Sequence, residues 1–341
     1  MVPVNQRQTQ EIKQFEKEQK KVVVAIGGNA ILQSEQTGTF EEQYINISNT
    51  AKCIVSVILG QSDHKIVAIT HGNGPQVGNI AVQQDEQGNR IPAQPMHVLN
   101  AMTQGQIGYM LQQAIQNEFE RLGKEMPVVS MVTQTLVDKN DPAFTNGFPF
   151  KPIGPFYTEQ EAKRLMKTKN YKLKKVKPKG EKIWRRVVPS PQPIEIVEID
   201  ALKKIVSSGC LVIVGGGGGI PVIQTDNGDL EGINAVIDKD LVTGLIGKSI
   251  GASILMILTD VEKVKLNFGR PNETQISTMT IGDAKKQMND GQFLDGSMGP
   301  KVKSSIDFLE SGGDMAIITS IENGIDALNG TAGTRIVKST N

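Results

Sequence analysis

LVIVGGGGGIPVIQTDNGDLEGINAVIDKD, residues 211–240, is the stretch whose reading decides the fold. Its β-branched start, 211–214, is expected to be a buried strand, and it stops at five consecutive glycines, Gly215 to Gly219. Without Cβ atoms such a run admits positive φ and lets backbone N–H groups approach phosphate oxygens, so Gly216, Gly217 and Gly218 read as a ligand cradle and not as a packing feature. Further on, Asp238, Lys239 and Asp240 separate a second apolar run, 235–237, from a helix expected over 241–250, an arrangement that sets Lys239 beside the cradle. Taken singly, a glycine run is often a plain loop and an Asp-Lys-Asp triplet a solvated helix start. Recurrence of the same pattern elsewhere in the chain separates the two readings.

It does recur. The apolar run 22–26 (VVVAI) ends in Gly27-Gly28-Asn29, and 66–70 (IVAIT) ends in His71-Gly72-Asn73-Gly74-Pro75. Pro75 suits the first turn of a helix whose free N–H groups face the glycine loop. Helices are expected over 40–59, 98–122 and 302–310, and strands over 128–132, 254–258 and 315–319. Strands alternating with helices predict an α/β fold on a mainly parallel open sheet. Ligands then collect at the strands' carboxyl ends, where the glycine loops lie. Neither the dinucleotide fingerprint nor a Walker loop is present: 72–78 spells G-x-G-x-x-x-G, and Val242 stands where a Walker loop before Gly247-Lys248-Ser249 requires glycine.

Composition bounds the partners. The 341 residues carry 37 Lys and Arg against 36 Asp and Glu, a balance that argues for no nucleic acid and no anionic membrane as a global partner. No apolar run reaches the ~20 residues needed to span a bilayer, and the start lacks a secretory pattern. Cys53 and Cys210 sit in apolar patterns and read as reduced core residues, which with the rest points to a cytoplasmic protein. Residues 1–20 are expected to be a flexible extension, and 21–341 a single domain from which 146–193 protrudes as a lid subdomain. Between 163 and 186 that lid holds twelve Lys or Arg and one acid, Glu181. Only Tyr171 and Trp184 interleave as aromatics, so a solvated or closing lid is favoured over a nucleic-acid patch.

Taken together, AIGGNA (25–30), HGNGPQVGN (71–79), AMTQG (101–105), VDKNDPAF (137–144), KPIGPFY (151–157), VVPSP (187–191), AVIDKD (235–240) and GSMGPK (296–301) closely resemble the carbamate kinase family, within the amino acid kinase superfamily. The resemblance runs in order from about Lys21 to Val337. It implies a three-layer α/β/α sandwich, a homodimer, and reversible phosphoryl transfer between ATP and carbamate, with Mg²⁺ accompanying ATP or ADP. In cells it implies ATP synthesis from carbamoyl phosphate in the arginine deiminase pathway. By resemblance Gly27, Gly28, Asn29, Gly72, Asn73 and Gly74 hold the phosphoryl group and carbamate. Lys139 lies on the carbamate side, Lys239 and Lys301 neutralise phosphate, and Asp240 orients the lysines. Gly216, Gly217, Gly218, Asp238, Thr259, Asp260 and Met298 lie near the nucleotide, and no protein ligand for the metal is named. The chain departs from the pattern at 177–184 (KPKGEKIW), where relatives carry Asp-Ala-Gly-Arg-Gly. Two alternatives remain open: an acetylglutamate-type kinase of the same superfamily, and a non-catalytic nucleotide or phosphate sensor.

Overall fold

Strand Lys20–Ile26 occupies the middle of an eight-stranded sheet and is buried from Val22 onward, as its unbroken apolar sequence requires. The computed structural model describes residues 19–339 except 34, 61–62, 87–89, 178 and 294–296; the side chain of Asn29 also lies outside the described residues. The expected extension therefore lies outside them too, save Gln19 and Lys20, and Lys20 already belongs to the first strand.

Across the sheet the strands run Thr278–Thr280, Thr334–Val337, Met315–Ser320, Ile254–Thr259, Lys20–Ile26, His64–His71, Leu211–Ile213 and Val128–Ser130. Every neighbouring pair is parallel except Met315–Ser320 with Thr334–Val337. Alternate residues of each strand enter opposite cores. Val23, Ala25, Leu255 and Ile257 pack with Val242, Ile246, Val302 and Phe308 from helices Lys239–Ser249 and Met298–Glu310. Val22, Val24, Ile26 and Met256 pack with Ile47, Ile54, Ile107 and Leu111 from helices Phe40–Leu59 and Met96–Arg121. Helices on both faces of the sheet make the three layers. The expected helix 40–59 matches Phe40–Leu59, which a Thr39–Glu42 capping box opens.

Besides the two-stranded pair Val264–Leu266 with Thr274–Ile276, two smaller sheets lie outside the alternation. Leu230–Gly232, Ile220–Gln224, Gln134–Val137 and Pro193–Ile196 form one, and short strands with little period-2 patterning gave no warning of it. Phe150–Tyr157, Trp184–Pro189 and Leu173–Lys175 form the other, antiparallel throughout and joined by helix Glu159–Lys169; it occupies the segment expected to be the lid. This lid sheet rests on helix Gly74–Glu86, where a Cβ on Gly78 would overlap the backbone of Gly154. Cys53 and Cys210 are free, as expected, but half-buried and outside both cores.

Candidate active site

The carboxyl ends of four parallel strands open into a cavity of about 880 Å³. Gly27 and Gly28 follow Lys20–Ile26, Gly72, Asn73 and Gly74 follow His64–His71, Thr259 and Asp260 close Ile254–Thr259, and Ser320 to Glu322 close Met315–Ser320. Gly217, Lys239, Asp240, Met298 and Lys301 complete the set of sequence-selected residues on its wall.

At its centre is a buried ion cluster. Lys239 Nζ lies 2.5 Å from Asp240 Oδ1, and Lys301 Nζ lies 3.0 Å from Asp240 Oδ2. Burial alone would raise the Asp240 carboxyl, but the two ammonium groups overcome it and hold the acid well below the usual carboxylate range. Burial lowers Lys239, whereas for Lys301 the facing Asp240 and Asp238 outweigh burial and raise it. One carboxylate between two cations leaves a net positive charge facing the cavity. Its backbone is fixed as well: Ser304 Oγ donates to the Asp240 carbonyl, and Thr243 Oγ donates to the Lys239 carbonyl at 2.6 Å.

Lys151 was not singled out from the sequence. It lines the cavity from the lid strand Phe150–Tyr157 and pairs with Asp238, whose other oxygen accepts from the Asp240 N–H at 2.9 Å and caps helix Lys239–Ser249. Asp238, expected near the nucleotide, is thus a buried capping residue that holds the lid lysine. Lys139, expected on the carbamate side, is absent from the cavity wall: it stands half-exposed in a turn, 2.8 Å from the exposed Asp226. Spacing within an Asp-Lys-Asn-Asp turn carries no information about direction, and here the side chain turns toward an acid 87 residues away.

The glycine run also departs from expectation. It serves packing as well: of Gly216 to Gly218 only Gly217 reaches the cavity wall, and it makes room for the Asn73 amide. A Cβ on Gly216 would overlap the His71 ring, and one on Gly218 the Ile237 carbonyl. Asn73 is held in place by donating to Asn100 Oδ1 at 2.9 Å and Thr103 Oγ at 2.8 Å, which gives the AMTQG segment its role. His71 is 1% exposed, with Nδ1 3.0 Å from the Gly72 carbonyl, and burial pulls its pKa down to about 4. Burial thus keeps the ring neutral, packed against Gly216.

Three aromatics of the lid segment already carry cations. Lys174 lies 3.8 Å over Phe150, Lys177 3.9 Å over Phe156 and Arg186 3.9 Å over Tyr171. Faces covered by the protein's own cations offer no platform for stacked bases. No helix among the described residues is long and apolar enough to cross a membrane.

Residues 20–320 match the profile of the Amino acid kinase family. The carbamate kinase of Thermococcus kodakarensis is 50% identical over 321 residues, 94% of this chain and 99% of that protein. Among solved structures, carbamate kinase from Giardia lamblia bound to citric acid superposes with a TM-score of 0.87 at 43% identity, covering 95% of this chain and 100% of the other. The same enzyme bound to AMP-PNP gives 0.83 at 44%, with the same coverage. By descent and by architecture the chain belongs to the amino acid kinase family and, within it, to the carbamate kinases.

Proposed function

We propose that the chain transfers a phosphoryl group reversibly between ATP and carbamate, running toward ATP from carbamoyl phosphate and ADP in the breakdown of arginine by the deiminase route. The observation that carries the reading is the Lys239–Asp240–Lys301 cluster between glycine loops at the strand ends, in a chain 50% identical to a carbamate kinase.

Phosphoryl transfer asks the protein for alignment and charge cancellation, with little covalent work. In this reading backbone N–H groups of Gly28 and Gly74 face the moving phosphoryl group, with Asn29 and Asn73 beside them, while Gly27 and Gly72, whose N–H groups donate to the Leu258 and Ile26 carbonyls, hold the loops close to the substrate. Lys239 and Lys301 cancel charge on its oxygens, and Asp240 lowers their mutual repulsion and fixes their directions. Carbamate is already an anion, so no general base is needed, which agrees with a neutral, buried His71. Lys151 takes the position expected of Lys139 and offsets the repulsion between carbamate and the γ-phosphoryl group. Thr259, Asp260 and Met298 hold the nucleotide together with Lys263, Lys265 and Phe268, which line the same cavity.

Mg²⁺ belongs to this reading. Among the described residues no three His, Cys, Asp or Glu cluster as a metal cage, and Asp240 is taken by lysines. That donor set fits an ion held by nucleotide phosphates and water. When bound, the ion would help Lys239 and Lys301 neutralise phosphate charge. A homodimer and a cytoplasmic location complete the reading; Met102, Tyr109 and Val132 stand exposed near the edge strand Val128–Ser130, and both cysteines are free thiols.

The test is ATP formation by the purified chain from Mg²⁺, ADP and carbamoyl phosphate. Turnover is expected. A well-folded protein making no ATP contradicts the reading and favours a sensor, and equal or better turnover of acetylglutamate with ATP favours the acetylglutamate-type kinase.

A further inference from the structure

A second cavity, of about 300 Å³, lies between helix Gly74–Glu86, the turn 93–96 and the lid strand Trp184–Pro189. It is on the far side of the lid sheet from the main cavity. Arg185 and Arg186 are consecutive on that strand and point to opposite faces, so Arg185 lines the main cavity while Arg186, with Val188, lines the second. Ala81, Ala93, Met96 and Val188 give the second cavity apolar walls, and Asp85 and Arg186 are its two charged residues. The charges attract without pairing. Burial pulls the Arg186 guanidinium down, and Asp85 is the foremost charge opposing that pull. Yet Asp85 Oδ2 is out of solvent with no hydrogen-bond partner among the described residues. Arg186 lies 3.9 Å over the Tyr171 ring, a stack that fixes the plane of the guanidinium and leaves the donors at its edge to a ligand.

The wall chemistry narrows which ligand. An anion alone would gain Arg186 and be repelled by Asp85, and a cation alone would meet the reverse. A small molecule carrying both signs gains from both. An unpartnered carboxylate oxygen shut away from water is costly, and such a molecule's ammonium group relieves that cost. Rotation about the last bond of Asp85, whose torsion is broad and two-fold, turns either oxygen toward the cavity. Two amides complete the lining. Gln84 Oε1 accepts from the Gln94 N–H at 2.7 Å and Asn234 Oδ1 from the Met96 N–H at 2.9 Å. Their oxygens thus hold the turn, and their NH₂ groups, without a protein partner among the described residues, remain to donate to a carbonyl. The volume suits a ligand at the small end of the usual range.

We infer that this second cavity binds a small zwitterion of the α-amino-acid class, its ammonium on Asp85, its carboxylate on the edge donors of Arg186, and an uncharged, carbonyl-bearing side chain against Gln84 and Asn234. Asp85 belongs to helix Gly74–Glu86 and Arg186 to the lid, so the ligand ties the lid to its support. Binding there does not depend on the reaction proposed above. The test is calorimetry and thermal melting of the full chain with L-glutamine and L-asparagine as probes. Heat of binding, and a Tm that rises with probe concentration, are expected for at least one of them. Acetylating the amine of that probe, or amidating its α-carboxylate, is expected to weaken binding roughly 10- to 100-fold, the loss of one charge-assisted hydrogen bond. Asp85→Asn and Arg186→Gln should each weaken the unmodified probe by a similar factor. The modified probes are measured on the parent chain, so their comparison stands even if a variant fails to fold. Absence of binding by well-folded parent at up to about 10 mM of either probe overturns the assignment. Equal binding of the acetylated or amidated form overturns the zwitterion, and full binding by both folded variants overturns the location.

Discussion

Three side chains divide the labour at the residue scale, and each makes a checkable prediction. Lys151→Ala is expected to lower turnover of carbamoyl phosphate on the order of 10² to 10³, the loss typical of removing a preorganised charge-stabilising donor. Lys139→Ala should stay within about threefold of the parent, since its partner is the exposed Asp226; steady-state ATP formation by the two variants decides which lysine serves the substrate. Asp240 and the two lysines it binds were legible in the sequence as a motif. Lys151 was not, because its partner Asp238 lies 87 residues away and only the fold joins them. His71 supplies the pH prediction. Its folded pKa of about 4 lies below the ordinary 6.5, so below pH 6.5 the unfolded chain binds the proton that the folded chain refuses. The stability it contributes is full above pH 6.5 and is lost as pH falls to about 4, a change of about 3 kcal/mol. Denaturant midpoints at pH 7 and pH 5 should therefore separate less in His71→Gln than in the parent; equal separation would contradict this origin.

At the scale of elements, the parallel strands and their helices were legible because burial on both faces demands unbroken apolar runs, and capping residues announce helix starts. The lid sheet and the small four-stranded sheet were not, since short strands such as Leu230–Gly232 and Leu173–Lys175 carry mainly exposed residues and no alternation. The glycine run adopts positive φ at Gly215, Gly217, Gly218 and Gly219, as its sequence led one to expect; what the sequence did not show is that three-dimensional neighbours such as His71 and Asn73 also use the space that Cβ atoms would fill. Gly78 shows the same principle where the lid meets its support. Gly78→Ala would drive a methyl group into the Gly154 backbone, which cannot move aside as a side chain can. We expect a loss of about 1–3 kcal/mol from overpacking, with a raised KM for carbamoyl phosphate because Lys151 rides on the displaced sheet. Unchanged melting and kinetics would mean that the lid does not rest on this helix in solution.

For the whole molecule, the eight-stranded sheet brings chain-distant segments together around one cavity, and family kinship gives that cavity its chemistry. A homodimer predicts a mass near twice 37.0 kDa by light scattering, and Tyr109→Glu, on the exposed apolar face, is expected to shift the population toward monomer. The central claim is that phosphorus moves from the acyl phosphate to the nucleotide within this cavity. Its most direct test is ³¹P NMR of the purified chain mixed with Mg²⁺, ADP and carbamoyl phosphate. The account predicts that the carbamoyl phosphate signal is replaced by the γ-phosphate of ATP, and that this conversion is lost or strongly slowed in Asp240→Asn while ADP still binds. Appearance of inorganic phosphate at the spontaneous rate with no γ-phosphate signal, or conversion at the parental rate by Asp240→Asn, would contradict it.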